Sequence, residues 1–112
     1  MAQTLAAGEA ISLQSLIAVT EAGVASRVLS KATGGNVTLF AFDAGQGLTE
    51  HTSPFEALVL VLDGSMMLTI GGTPVTATPG TIVRMPANVP HALEANTQTR
   101  MLLIMLRDNR AA

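Results

Sequence analysis

In GQGLTEHTSPFEALVLVLDG, residues 45–64, a loop opened by glycine carries His51, runs into a six-residue apolar strand and stops on Asp63-Gly64. Its counterpart is GTIVRMPANVPH, residues 80–91, which ends on His91, the other of the chain's two histidines. Both imidazoles stand beside proline-punctuated strand ends. If they meet in space, they define a site; if they do not, the chain reads only as an all-β domain.

Outward from these stretches the chain divides into short strands set off by turn residues. Residues 24–30 and 36–43 read as a hairpin closed by Thr33-Gly34-Gly35-Asn36, and residues 57–62 and 65–70 as a second hairpin across Asp63-Gly64. Gly71-Gly72 makes the next turn, Pro79-Gly80 ends residues 73–78, Pro86 ends residues 81–85, and strands follow at 91–95 and 99–106. Residues 11–19 fit a short helical turn and an edge strand equally well. The reading gives about nine antiparallel strands with no long helix, which implies a sandwich or barrel.

Residues 57–62 and 101–106 are apolar on both faces. Both sides of these strands should therefore be covered, one by the interior and the other by a second sheet or a partner chain. Thr69, Thr73, Thr76 and Thr78 are expected on faces that meet water.

At 112 residues the chain is expected to form one domain, 1–112, with residues 1–8 mobile and the barrel spanning 37–106. Hydrophobic residues make up 48% and charged residues 12%, more apolar surface than one small core hides, so a homodimer is expected. Six scattered basic residues against eight acidic ones offer no footprint for nucleic acid. The apolar runs are far too short for a membrane helix, and without a basic, apolar leader the expected location is cytoplasmic. The absence of cysteine removes disulfides, thiol nucleophiles and cysteine-held zinc.

The two glycine-to-histidine stretches together resemble the two signature motifs of the cupin superfamily, over about residues 37–106. The first motif runs glycine, five residues, histidine, one residue, histidine, three or four residues, glutamate, six residues, glycine. Gly45, His51 and Gly64 stand on that frame, with Ser53 at the second histidine and Ala57 at the glutamate. The second runs glycine, five residues, proline, one residue, glycine, two residues, histidine, three residues, asparagine. Gly80, Pro86 and His91 match it, with Asn88 at the glycine and Ala95 at the asparagine. The resemblance implies a small jelly-roll barrel, the double-stranded β-helix, commonly dimeric, with its site inside. Two of the four usual metal-ligand positions are kept.

A site of two histidines and one carboxylate suits iron, manganese, zinc or nickel, so a third ligand is the question. On an unbroken strand Ser53, Phe55 and Ala57 would share a face with His51, while Glu50 and Glu56 would point away. A kink at Ser53-Pro54 would bring Glu56 round, which makes it the candidate third ligand. Alternatively the two histidines line a metal-free pocket, hydrogen-bonded to each other, to water or to backbone. Ser53, Phe55 and Met85 are expected to line it. Arg84 either clamps an anionic substrate or covers apolar surface; Phe40, Phe42 and most methionines read as core.

The functional reading is a small-molecule-binding cupin with a degenerate metal site. The alternatives are a metal-dependent dioxygenase, isomerase or decarboxylase acting on a small organic acid or phenol, and a ligand-free interaction protein.

Overall fold

The structure is a computed structural model and describes residues 4–107. Among the described residues turn chemistry delimits nine strands: β1 (Val24–Ala32), β2 (Gly35–Phe42), β3 (Gly47–His51), β4 (Glu56–Asp63), β5 (Met66–Ile70), β6 (Thr73–Ala77), β7 (Ile82–Met85), β8 (His91–Ala95) and β9 (Thr99–Leu106). All their pairings are antiparallel. They form a five-stranded sheet, β1-β2-β9-β4-β7, and a four-stranded sheet, β3-β8-β5-β6. This is the all-β jelly roll that the sequence implied. No helix among the described residues is long and apolar enough to cross a membrane.

The core lies between the sheets, because alternate residues of each strand face inward. On β4 these are Ala57, Val59 and Val61; on β5, Met66 and Leu68; on β8, Leu93 and Ala95; and Met101 of β9 joins them. Burying a side chain the size of valine or leucine contributes roughly 1.5–3 kcal/mol. The outward residues of β4 and β9, Leu58, Leu60, Leu102 and Ile104, are also apolar but only half-buried, and Ile82 and Leu106 beside them are 56% and 45% exposed. The doubly apolar strands thus have one covered face and one partly bare face within a single chain.

Part of that outer face is covered by the N-terminal segment. The Leu5 amide donates to the Leu29 carbonyl at 2.9 Å. Arg27 donates to the Leu16 carbonyl and Arg100 to the Ile17 carbonyl, each at 3.3 Å. These arginines sit opposite Leu39 and Ala41 of β2, which are fully buried. Residues 11–19 contribute only a 3-10 turn, Leu13–Ser15, and no strand. Residues 1–3 of the segment expected to be mobile lie outside the described residues.

The hairpin β1–β2 forms as expected, and the Gly71-Gly72 turn joins β5 and β6 as a hairpin. The one expected across Asp63-Gly64 does not form: β4 pairs with β7 and β9, whereas β5 pairs with β6 and β8. The turn carries the chain from one sheet to the other. Gly64 has φ +87°, and a Cβ there would lie 2.2 Å from the Gln98 carbonyl oxygen, so only glycine passes this crossing without displacing the start of β9. Asp63 accepts from the Arg100 amide at 3.1 Å and from its guanidinium at 3.2 Å, which fastens the crossing to β9.

A cavity between two histidines

His51 is turned to the cavity's edge through a defect in β3. The β3–β8 register pairs Leu48 with Leu93 and then His51 with His91, so Thr49 and Glu50 together oppose Ala92 alone. Residues three apart on a regular strand point to opposite faces. The extra residue of this β-bulge turns His51 back to the side of Leu48 and Leu93. His91 needs no such device: it alternates with Leu93 and Ala95, all three facing inward and buried.

The strand His51 to Ala57 assumed in the sequence argument is broken. His51 ends β3 in one sheet, residues 52–55 cross over, and Glu56 begins β4 in the other. The irregularity that aims the histidine is at Thr49-Glu50, upstream of the Ser53-Pro54 kink expected to turn Glu56.

The two imidazoles meet edge to face, their centroids 4.4 Å apart and their planes at 68°. His91 is buried at 5% exposure, whereas His51 stands exposed at the cavity's edge. Each Nδ1 lies against a main-chain carbonyl two residues back, His51 against Thr49 at 2.8 Å and His91 against Val89 at 3.1 Å. A carbonyl only accepts, so each Nδ1 carries the proton and donates it. In the neutral rings that leaves both Nε2 lone pairs as acceptors or metal ligands.

Beside the rings is a cavity of about 80 Å³, walled by Leu48, Leu93 and Leu103, by Met85 and Met105, and by Ser53 and Ala57. Residues 51, 53, 57 and 91 therefore all open onto one space. Ser53 binds its two stretches of chain together: its hydroxyl oxygen accepts the Phe55 amide at 3.1 Å, and its carbonyl accepts the Asn88 amide at 2.7 Å. Asn88 sits at φ +64°, a region that asparagine tolerates better than most residues other than glycine. That is why asparagine can stand where the motif has glycine.

Of the residues expected at the site, the structure brings together His51, His91, Ser53 and Met85. Glu56 is not among them. Its carboxylate accepts from Arg84 on the outer face of the five-stranded sheet, with both side chains well exposed, so the kink that would have delivered it is absent. Arg84 likewise points outward, where it pairs with Glu56 and not with the cavity. Phe55 lines a neighbouring cavity instead. Phe40 and Phe42 stack at 5.7 Å in and against the core. Leu48, Leu103 and Met105 were missed as cavity walls, although the alternation of β9 puts 103 and 105 on the same face as buried Met101.

The donor set for a resident metal ion is two imidazoles and one serine hydroxyl; among the described residues no three His, Cys, Asp or Glu side chains gather. Tightly held divalent ions take three or four protein ligands, so these residues do not fit one. A larger hollow of about 530 Å³ runs along the outer face of the four-stranded sheet past Gly47, Met67 and Thr69. It is an open groove with Glu94 as its only charged residue, and the enclosed two-histidine cavity is the better candidate.

The cupin domain family matches residues 38–107. Among solved structures, a conserved protein of unknown function from Streptococcus pyogenes is 28% identical, with 97% of this chain and 96% of that one covered and a TM-score of 0.90. A cupin superfamily protein from Desulfitobacterium hafniense is 27% identical over 96% of this chain and 99% of its own, with a TM-score of 0.87. A Cupin 2 conserved barrel domain protein from Leptotrichia buccalis is 34% identical over 83% of this chain but 45% of its own length, with a TM-score of 0.79. No curated protein matches the chain.

Proposed function

The chain belongs to the cupin family, and from that premise we propose that it is a binding barrel for a small organic molecule, held between His51 and His91 without a resident metal. The observation that carries this reading is that the four positions where the family's motifs set ligands, 51, 53, 57 and 91, face one cavity of about 80 Å³. Two of them have given up ligand side chains for a hydroxyl and a methyl. What is left is an apolar pocket with two imidazole acceptors and one serine hydroxyl as donor, enough polar groups to orient a ligand.

A metal-dependent dioxygenase, isomerase or decarboxylase is the second reading. It is favoured by the paired carbonyl contacts at Nδ1, the outer-shell arrangement that commonly orients metal-bound histidines. The two-imidazole donor set weighs against it.

The binding reading includes a homodimer, supported by the partly bare apolar strip in which half-buried Leu58, Leu60, Leu102 and Ile104 adjoin exposed Ile82 and Leu106.

The test is metal analysis of untagged protein, together with thermal unfolding against a panel of small organic compounds. The expected result is ion content far below one per chain and ligand-dependent stabilisation without product. Close to one ion per chain, retained through dialysis and accompanied by turnover on adding ferrous iron, would overturn it in favour of the enzyme.

A further inference from the structure

The histidine cavity has a neighbour. A second hollow of about 100 Å³ is bounded by Lys31, Asn36, Phe55, Met105 and Arg107, among others, and Met105 is a wall of both. The sheet register explains why they adjoin. Lys31 pairs with Asn36, Asn36 with Met105, Met105 with Ala57, and Ala57 with Met85. Directly paired residues of adjacent strands share a face, so these five form one row across the five-stranded sheet. Lys31, Asn36 and Met105 line the outer hollow; Met105, Ala57 and Met85 line the inner one.

The two halves of this row differ in chemistry. The inner cavity has no charged wall: its polar groups are the imidazoles and Ser53. The outer hollow has two cations, and no carboxylate among the described residues lines it. The Arg107 guanidinium lies over the Phe55 ring, 4.9 Å from its centroid. Stacking fixes the plane of the group and leaves the N–H donors on its edge available to a bidentate acceptor. Asn36 Oδ1 accepts from the Thr38 hydroxyl at 3.3 Å, so its NH₂ is the donor end. An ammonium, a guanidinium and an amide NH₂ around one hollow match an anionic acceptor, and a carboxylate matches the planar fork best.

We propose that the ligand is an organic carboxylate that lies along this row. Its anionic end meets Lys31 and Arg107 at the rim, and its uncharged end passes Met105 into the cavity between His51 and His91. The inference rests on the binding reading above and adds the ligand class and two specificity-determining residues. Adjacent strands are about 4.8 Å apart, so the Lys31 backbone is about 10 Å from that of Met105. The lysine side chain covers part of that span, and an unbranched acid of about six carbons bridges the rest.

The test uses hexanoate and its neutral isostere hexanamide, titrated into the full chain and followed by the Met105 methyl resonance, one of only six methionine methyls to assign. Hexanoate is expected to bind at least tenfold more tightly than hexanamide and to weaken as salt is raised. In Lys31→Met with Arg107→Met its affinity should fall to that of hexanamide, whose own binding, unchanged, shows that the variant is folded. Equal affinity of the two probes for the wild type, or hexanoate binding untouched by the double substitution, overturns the carboxylate inference. If both probes bind equally and both are lost on replacing His91, the histidine cavity stands and only the rim assignment falls. If neither probe binds, the rim assignment also falls, and the cavity reading is then decided by its own compound panel.

Discussion

Replacing Ala57 by valine should stabilise the protein and weaken its binding at least tenfold. Ala57 is 4% exposed, lies between Met85 and Met105 in the register and contributes a wall of the 80 Å³ cavity. The two carbons that valine adds are worth at most about 1.6 kcal/mol if they fill empty space. An independent ceiling comes from the cavity: removing a void of this size at about 24 cal/mol per Å³ is worth about 1.9 kcal/mol. Part of either figure is lost to imperfect fit, so a gain of about 1 kcal/mol, or about 5 °C in Tm, is expected. With no tryptophan or tyrosine in the chain, unfolding is followed by calorimetry or far-ultraviolet circular dichroism. Hexanoate and hexanamide titrations on the same samples should show affinity reduced at least tenfold. Destabilisation beyond about 1 kcal/mol would mean that Ala57 is already close-packed. Unchanged binding would mean that ligands do not use this space; either result refutes the reasoning.

Deleting Glu50 removes the extra residue of the β3 bulge and leaves His51 opposite His91, so contacts between the two rings should persist in nuclear Overhauser spectra; their loss would show that the bulge does more than set the register. Asp43 is held below the usual carboxylate range, first by the Ala22 amide, then by the Gln98 side chain and the Ala44 amide. Its ionised form therefore stabilises the fold above the unfolded-state value of about 3.9, and that contribution disappears as pH falls through the lower folded-state value. Asp43→Asn should lower Tm at pH 7 with the deficit shrinking toward pH 3, and a deficit independent of pH would contradict the assignment. Ile104→Glu, in the middle of the partly bare apolar strip, should convert a dimer to a monomer in light scattering; a wild type that is monomeric at high micromolar concentration would remove the dimer.

The architecture was legible because its signals are local. Glycine and proline marked the strand ends, and the failed alternation of residues 57–62 and 101–106 announced two-sided strands, now seen as β4 and β9 at the centre of one sheet. Convergence of His51 and His91 followed from the motif frame. The local signals could not say which sheet a strand joins. Asp63-Gly64 has the chemistry of a hairpin turn, yet the partners of β4 and β5 are chosen by distant strands. Nor does Thr49-Glu50 carry a glycine or proline to announce the bulge that turns His51 to the side of Leu48; the parity count onward from His51 still placed Ser53 and Ala57 with it and Glu56 away. The carboxylate was the right residue to doubt: Glu56 stays on the outward face of β4, where Arg84 meets it. The rim went unread because Arg107 is far in the chain from the Lys31–Asn36 hairpin end, and only the β2–β9 register sets all three around one hollow.

The most direct test is a long-range ¹⁵N–¹H correlation and Overhauser experiment on protein labelled only at histidine, where two imidazoles give an unambiguous spectrum. Cross-peaks between the rings are expected, with both Nδ1 protonated and both Nε2 bare at neutral-ring pH, and both sets of ring signals should move together when hexanoate is added. Rings that show no contact, or Nε2-protonated tautomers that ignore the ligand, would contradict the account.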